Sequence, residues 1–189
     1  TPSEFAAITA RQQAVKDTGL SPDEIGVFSI VPCSSLVTAA HSPVGLAHPV
    51  LDGAFAIRDV YLALLGPRKK LDKDNLKPLS ASGILGVGWA YVGGESAGRL
   101  RERYVAVDGI ENVIQMLEEI EDERIGELDF IELNACSGGC VGGVLCVENP
   151  YVAIARLQRL RKYLPVSQSH LEQNAPVPQE MNWNGELEF

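Results

Sequence analysis

The chain has 189 residues, of which 46% are hydrophobic, and this is enough for a domain with a substantial core. Its net charge of −9 at pH 7 argues against nucleic acid or an anionic membrane surface as its main partner. No apolar run reaches the ~18 residues that a membrane-spanning helix needs, so no membrane partner is expected.

The start of the chain predicts a helix followed by a buried strand. Residues 2–17 have a proline in the first turn and a sparse apolar stripe, and Gly19 follows as a candidate C-cap. Residues 26–31 are rich in β-branched and aromatic side chains, which favours a short buried strand. The strand leads directly into Pro32-Cys33, so we expect that thiol at its carboxyl end.

The next stretch predicts a loop, a short helix and a charged connector. Residues 34–52 contain two prolines and two histidines, a composition typical of a loop. Residues 58–65 predict a helix that stops at Gly66-Pro67, because proline disfavours helical backbone before it. Residues 68–78 are charged and predict a connector.

The second half alternates strands with helices. The predicted strands are residues 104–107 and 128–133, and the second runs into Cys136. Apolar residues at helical spacing predict helices within 110–120 and 150–164. This alternation predicts an α/β fold with a parallel sheet flanked by helices. We expect one domain over 1–164 and an extended tail over 165–189.

Three of the four cysteines lie within eleven residues. Such a cluster favours metal ligation or redox chemistry over a disulfide framework, which usually belongs to a shorter chain that is denser in cysteine. Cys136 and Cys140 flank two glycines, and Gly142-Gly143 follow. Glycines let backbone amides approach the sulfides of an iron–sulfur cluster. Cys33 would be a ligand from a distant part of the sequence.

The order of these segments resembles the catalytic domain of the large subunit of iron-only hydrogenases. That family carries P-C-x-x-K-K after a strand and, later, E-x-M-A-C-x-G-G-C followed by glycines. The matching segments here are Pro32 to Val37, Asp52 to Leu65, Ser82 to Gly86 and Glu132 to Cys140, so the resemblance covers roughly residues 1 to 145.

The resemblance implies that Cys33, Cys136 and Cys140 are thiolate ligands of a [4Fe–4S] cluster. It also implies that the thiolate at Cys140 bridges to a two-iron subcluster in active hydrogenases. Two residues depart from the family: Leu36 replaces a lysine that contacts a cyanide ligand, and Asn134 replaces a methionine. The family's T-S-C-C-P motif, with the fourth ligand and a proton-relay cysteine, falls upstream of Thr1.

These departures favour a divergent, hydrogenase-like member, N-terminally truncated, that transfers electrons or senses redox state or hydrogen without turning hydrogen over. Its partners would be a redox protein or fused ferredoxin-like or sensor modules, in an anaerobic cytoplasm. One alternative is a fragment of a genuine hydrogenase that oxidises or produces H2. Another is a structural zinc site made by all four cysteines, including Cys146. Cys146 is also a possible fourth ligand of the cluster, although a packed apolar position is the commoner role of such a thiol.

Other polar clusters favour structural roles. His41 and His48 lie on a predicted loop without a partner motif, which favours solvated side chains over metal ligands. The acidic residues from Glu118 to Glu123 fit the solvent-facing end of a helix better than a dicarboxylate site. The glycines between Gly83 and Gly94 lack phosphate-loop spacing, so close backbone packing is expected there.

Overall fold

The computed structural model describes residues 1–71, 82–98 and 102–166. These residues form two compact units, the first made by residues 1–71 and the second by the described residues from 82 to 166. Each unit contains one pair of parallel strands with helices against it, so the predicted α/β class is confirmed. The single domain expected over 1–164 spans both units.

The first unit is built from three helices and two strands. In chain order they are α1 (Pro2–Thr18), β1 (Phe28–Val31), α2 (Ser34–His41), β2 (Gly53–Ala56) and α3 (Ile57–Arg68). β1 and β2 pair in parallel with Phe28 opposite Gly53 and Val31 opposite Ala56. α1 ends at Gly19, whose φ of 73° is the left-handed conformation that the sequence predicts for a C-cap.

The second unit has four helices and two strands within its described residues. They are α4 (Ile84–Gly88), α5 (Gly94–Gly98), β3 (Tyr104–Asp108), α6 (Ile110–Glu121), β4 (Phe130–Asn134) and α7 (Pro150–Arg161). β3 and β4 pair in parallel, with Tyr104 opposite Phe130 and Asp108 opposite Asn134. α6 connects the two strands, as expected for a parallel pair. Both carboxyl ends therefore lie at the same edge of the pair.

Several sequence predictions about the elements are wrong. Residues 34–41, with the sequence Ser-Ser-Leu-Val-Thr-Ala-Ala-His, form α2 instead of a loop, because they follow an extended residue, Cys33, that starts the helix. α3 continues through Gly66-Pro67 to Arg68. The strand at 28–31 is only partly buried, since the side chains of Phe28 and Ile30 are about half exposed.

Some predicted features lie outside the described residues. They are most of the connector at 68–78 and all but the first two residues of the extended tail at 165–189. Among the described residues, no helix is both long and apolar enough to cross a membrane.

Candidate functional site

Cys136 and Cys140 lie in a loop directly after β4, and both are exposed. The chain passes through Gly138 and Gly139, with φ of 80° and 79°, and then forms a 3₁₀ turn over Gly139–Gly142. Residues with a side chain would be strained at two successive positions in this left-handed conformation. The glycines between the cysteines therefore determine the shape of the loop.

Close backbone packing also requires a glycine at position 139. A Cβ atom added to Gly139 would lie 2.8 Å from the nitrogen of Val92 and 3.1 Å from the carbonyl carbon of Tyr91. Gly142 is similarly constrained, because an added Cβ would overlap the carbonyl oxygen of Ser137. The cysteine loop thus lies directly against another backbone segment.

Two backbone hydrogen bonds join the cysteine loop to the segment Ala90–Ser96. The amide of Val92 donates to the carbonyl of Gly138 at 3.3 Å, and the amide of Val141 donates to the carbonyl of Ala90 at 2.9 Å. These bonds lie on the two sides of Cys140 in sequence, one before it and one after it. Movement of the segment would therefore move the loop as well.

Three glycine amides of the loop also donate inside the protein. The amide of Gly138 donates to the Asp108 carboxylate at 2.6 Å. The amides of Gly139 and Gly143 donate to the carbonyls of Cys136 and Cys140, each at 3.1 Å. The sequence predicts that glycine amides near the thiols would approach cluster sulfides, but these three are already engaged in this structure.

A buried carboxylate supports the segment from the other side. Glu132 in β4 is only 6% exposed. Its Oε1 accepts from the amide of Gly93 at 2.9 Å and from Nδ2 of Asn134 at 3.1 Å. Its Oε2 accepts from the amide of Ser96 at 2.9 Å and from the Ser96 hydroxyl at 2.8 Å. Four neutral donors thus compensate for the cost of burying the charge.

Cys146 returns toward the same loop. Its Sγ lies 3.5 Å from the carbonyl oxygen of Cys140, and its side chain is half-buried. This return does not use a left-handed glycine at position 143, because Gly143 has a φ of −64°. The return is instead made by two turns, in which the amide of Gly143 bonds to Cys140 and the amide of Cys146 bonds to Gly143.

Cys33 belongs to the first unit, where it precedes α2 in an extended conformation with φ of −148° and ψ of 162°. Its side chain is half-buried. Within the described residues of either unit, no three histidine, cysteine, aspartate or glutamate side chains form a group that could hold a metal ion. The ligand set of Cys33, Cys136 and Cys140 therefore stays a prediction.

Residues 68–144 match the family model described as the C-terminal domain of the large subunit of iron-only hydrogenases. Over these residues, the chain is similar to the iron-only hydrogenases. The matched range includes Cys136 and Cys140 and ends before Cys146, whereas Cys33 lies outside it. The resemblance of residues 1–67 to the hydrogenase domain stays a prediction. No curated protein matches the chain.

Leu36 and Asn134 are the two residues that the sequence predicts to depart from the hydrogenase motifs. Leu36 is a half-buried residue in the first turn of α2, and its side chain has no hydrogen-bond donor. Asn134, at the position of the family methionine, donates its side-chain amide to Glu132. The Asn134 amide is thus part of the hydrogen-bond network around Glu132.

The donor set of the cysteine loop fits iron–sulfur chemistry, because thiolates are the usual ligands of such clusters. Two exposed thiols on a glycine loop, with a third cysteine close by in the fold, provide that chemistry within one unit. The two thiols Cys136 and Cys140 are fewer than the four ligands of a typical [4Fe–4S] cluster. Further ligands would have to come from Cys33, from Cys146 or from another part of the protein.

The other polar clusters have the structural character that the sequence predicts. His41 lies in the last turn of α2 and is exposed, as is His48. Among the acidic residues at the end of α6, Glu119 and Asp122 pair with Arg124. The pairs are largely exposed, so each contributes little to stability.

Sequence reasoning assigned no role to Asp108, Glu132 or Arg161. The signal for Asp108 is its position, because it is an acidic residue at the end of a strand, immediately before Gly109. Glu132 is a charged residue between the apolar Ile131 and Leu133 of β4, which is a recognisable signal for a buried polar contact. Arg161 bonds through Nε to the carbonyl of Ile84 at 2.9 Å and through its guanidinium to the Tyr91 hydroxyl, and no local pattern indicates these contacts.

Proposed function

We propose that this hydrogenase-family domain holds a [4Fe–4S] cluster through thiolates and serves electron transfer or redox sensing, including hydrogen sensing, without hydrogen turnover. The observation that carries the proposal is the loop at the end of the family match, where Cys136 and Cys140 are both exposed on a fixed backbone. Cys33 is the third proposed ligand, and Cys146 is a candidate for the fourth.

The residues of this chain would supply the ligands and their placement. A bound cluster would supply one-electron redox chemistry. Cys136 and Cys140 would bind iron as thiolates, and the glycine backbone between them would keep the two sulfur atoms on one short loop. The exposure of both side chains supports access by iron and by a redox partner.

Hydrogen turnover is not part of the proposal. Leu36 cannot donate the hydrogen bond that the family lysine gives to the two-iron subcluster, and the Asn134 side chain is bound to Glu132. The proposed partners are a redox protein or fused ferredoxin-like or sensor modules. The reducing cytoplasm of an anaerobic cell would keep the thiols available.

Anaerobic reconstitution of the full chain with ferrous iron and sulfide tests this function. We expect bound iron and sulfide in equal amounts, a visible charge-transfer band and an electron paramagnetic resonance signal after reduction. Cys136→Ser or Cys140→Ser should remove most of the iron, as should Cys33→Ser. Cys146→Ser decides whether Cys146 is the fourth ligand.

Other results would overturn the proposal. Zinc bound without sulfide would favour the structural four-cysteine site. Infrared bands from cyanide and carbon monoxide ligands on protein matured in cells would favour the genuine hydrogenase. Iron content that is unchanged in both Cys136→Ser and Cys140→Ser would exclude the cysteine loop as the site.

A further inference from the structure

Glu132 occupies an unusual position for an acidic residue. It is 6% exposed, and the four groups that donate to it are two backbone amides, one hydroxyl and one side-chain amide. A buried carboxylate is costly unless all of its acceptor sites are used. A neutral or apolar side chain would fill this position in the strand at lower cost, so the contacts themselves require an explanation.

The contacts show what the carboxylate holds. Three of the four donors belong to Gly93 and Ser96, in the segment Ala90–Ser96. The other end of the segment is bonded to the cysteine loop through Val92 and Ala90. The carboxylate is thus linked to the loop twice, once along the chain from β4 and once through the segment.

The packing leaves little freedom between the segment and the loop. Gly139 lies so close to Tyr91 and Val92 that no Cβ atom would fit. A displacement of the segment toward the loop would produce a steric clash, and a displacement away from it would break both backbone hydrogen bonds. The position of the segment therefore determines the position of the residues between the two thiols.

We propose that Glu132 is a positioning residue for Cys136 and Cys140. By fixing Gly93 and Ser96, its carboxylate fixes the segment against which the cysteine loop is held. The effect on iron binding rests on the function proposed above, whereas the effect on the loop does not. Because both carboxylate oxygens accept two hydrogen bonds, Glu132→Gln directs an NH2 group at two donors, whichever way the amide is turned.

Hydrogen exchange in the metal-free full chain tests the loop directly. In Glu132→Gln, we expect the amides of Val92 and Val141 to exchange about tenfold faster or more, because the bonds that protect them depend on the fixed segment. Ser96→Ala removes one of the four hydrogen bonds and should give a smaller acceleration. Glu127→Gln is the matched control, since Glu127 is an acidic side chain of the same unit that is 91% exposed.

Anaerobic reconstitution of the same variants tests the consequence for iron. We expect Glu132→Gln to retain less iron than wild type and to show a shifted midpoint potential, whereas Glu127→Gln should match wild type in both. Circular dichroism spectra equal to that of wild type identify the variants that are folded. If Glu132→Gln does not fold, Ser96→Ala carries the test.

The outcomes separate the two proposals. Unchanged exchange at Val92 and Val141 in a folded Glu132→Gln protein would overturn the positioning role. If wild type binds iron, an iron content and midpoint potential of Glu132→Gln equal to those of wild type would also overturn it. Faster exchange in a protein whose wild-type form binds no iron would support the role of Glu132 in the loop and contradict the proposed cluster.

Discussion

The two units place a cysteine at the carboxyl end of a parallel strand pair, but they hold it by different means. In the first unit, Cys33 follows β1 after Pro32 and precedes α2 with extended backbone angles. In the second, the loop of Cys136 and Cys140 is packed against another segment so closely that only glycine fits. The same strand-end position thus occurs once in a simple helix start and once in a tightly packed loop.

The units also differ in how a carboxylate joins distant segments. Asp52 in the first unit is 44% exposed and pairs with Arg11, which also donates to the carbonyls of Pro22, Ile25 and Val50. Glu132 in the second unit is buried and has only neutral donors. Water can replace the contacts of Asp52, but it cannot reach those of Glu132. We therefore expect substitutions around the second site to have larger effects.

The largest effect is expected for Gly139→Ala. The added Cβ would lie 2.8 Å from the nitrogen of Val92, and alanine would have to adopt a φ of 79°. Overpacking and backbone strain together should lower the free energy of unfolding by about 3 kcal/mol. Denaturant unfolding followed by tryptophan fluorescence would measure the change.

Gly86→Ala is the matched control for this substitution. Gly86 lies in α4 of the same unit, and an added Cβ would meet no atom within 4 Å. Alanine should be neutral there or stabilise the unit by about 0.5 kcal/mol through its higher helix propensity. If Gly86→Ala lowered the stability as much as Gly139→Ala, the effect of Gly139→Ala could not be attributed to the close contact of Gly139.

The next effect is expected for Asp108→Ala. This change leaves the amide of Gly138 without the carboxylate that accepts from it at 2.6 Å. The loss of a charge-assisted hydrogen bond at a half-buried site should cost about 2 kcal/mol. Asp108→Asn keeps an acceptor oxygen and should cost about half as much. Equal losses in the two variants would argue that the bond to Gly138 is not the cause.

A smaller effect, dependent on pH, is expected for Asp52→Asn. The amide of Val27 and then the guanidinium of Arg11 lower the pKa of Asp52 from its usual 3.8. The ionised form therefore stabilises the fold above pH 3.8, and this contribution is lost as the pH falls through the lowered pKa of the folded state. At neutral pH we expect a loss of about 1 kcal/mol, since the site is partly exposed.

Unfolding of wild type and Asp52→Asn across pH 2–7 would test this linkage. The difference between the two proteins should be constant near neutral pH and should disappear at the acidic end. Asp23→Asn is a suitable control, because Asp23 is an exposed acidic residue of the same unit. A difference that grows as the pH falls would contradict the direction of the pKa shift.

The smallest effect on stability is expected for Cys33→Ser. Cys33 precedes α2 with extended backbone angles, and its thiol makes no capping hydrogen bond. Serine is a favoured residue at this position, so the free energy of unfolding should change by about 0.5 kcal/mol or less. Thermal unfolding of the metal-free chain would measure it. Loss of iron from a fully stable Cys33→Ser protein would separate ligation from folding.

Local patterns were sufficient to predict most of the elements. The apolar spacing within residues 110–120 predicts α6, and the Asn149-Pro150 start predicts α7. The Asn149 side chain caps that helix by accepting from the amides of Tyr151 and Val152. Such signals lie within a few residues of one another, so neither tertiary contacts nor the other unit are needed to recognise them.

Features that depend on distant contacts could not be predicted in this way. β2 has the unremarkable sequence Gly-Ala-Phe-Ala, and it forms a strand because it pairs with β1. α2 contains β-branched residues and a histidine, which have low helix propensity, so its own sequence does not indicate a helix. The cysteine loop was recognised from its spacing, but its support by Glu132 depends on donors more than thirty positions away.

The bond between Arg161 and Ile84 has a consequence for the order in which the second unit assembles. It joins positions 77 residues apart, and Arg161 also reaches the hydroxyl of Tyr91, beside the segment that holds the cysteine loop. During synthesis, Cys136 and Cys140 leave the ribosome before α7 is complete. Contacts of such long sequence separation form slowly, because loop closure must precede them. Cys136 and Cys140 are therefore synthesised early, whereas the segment that holds their loop is completed only when α7, the last described helix, has docked.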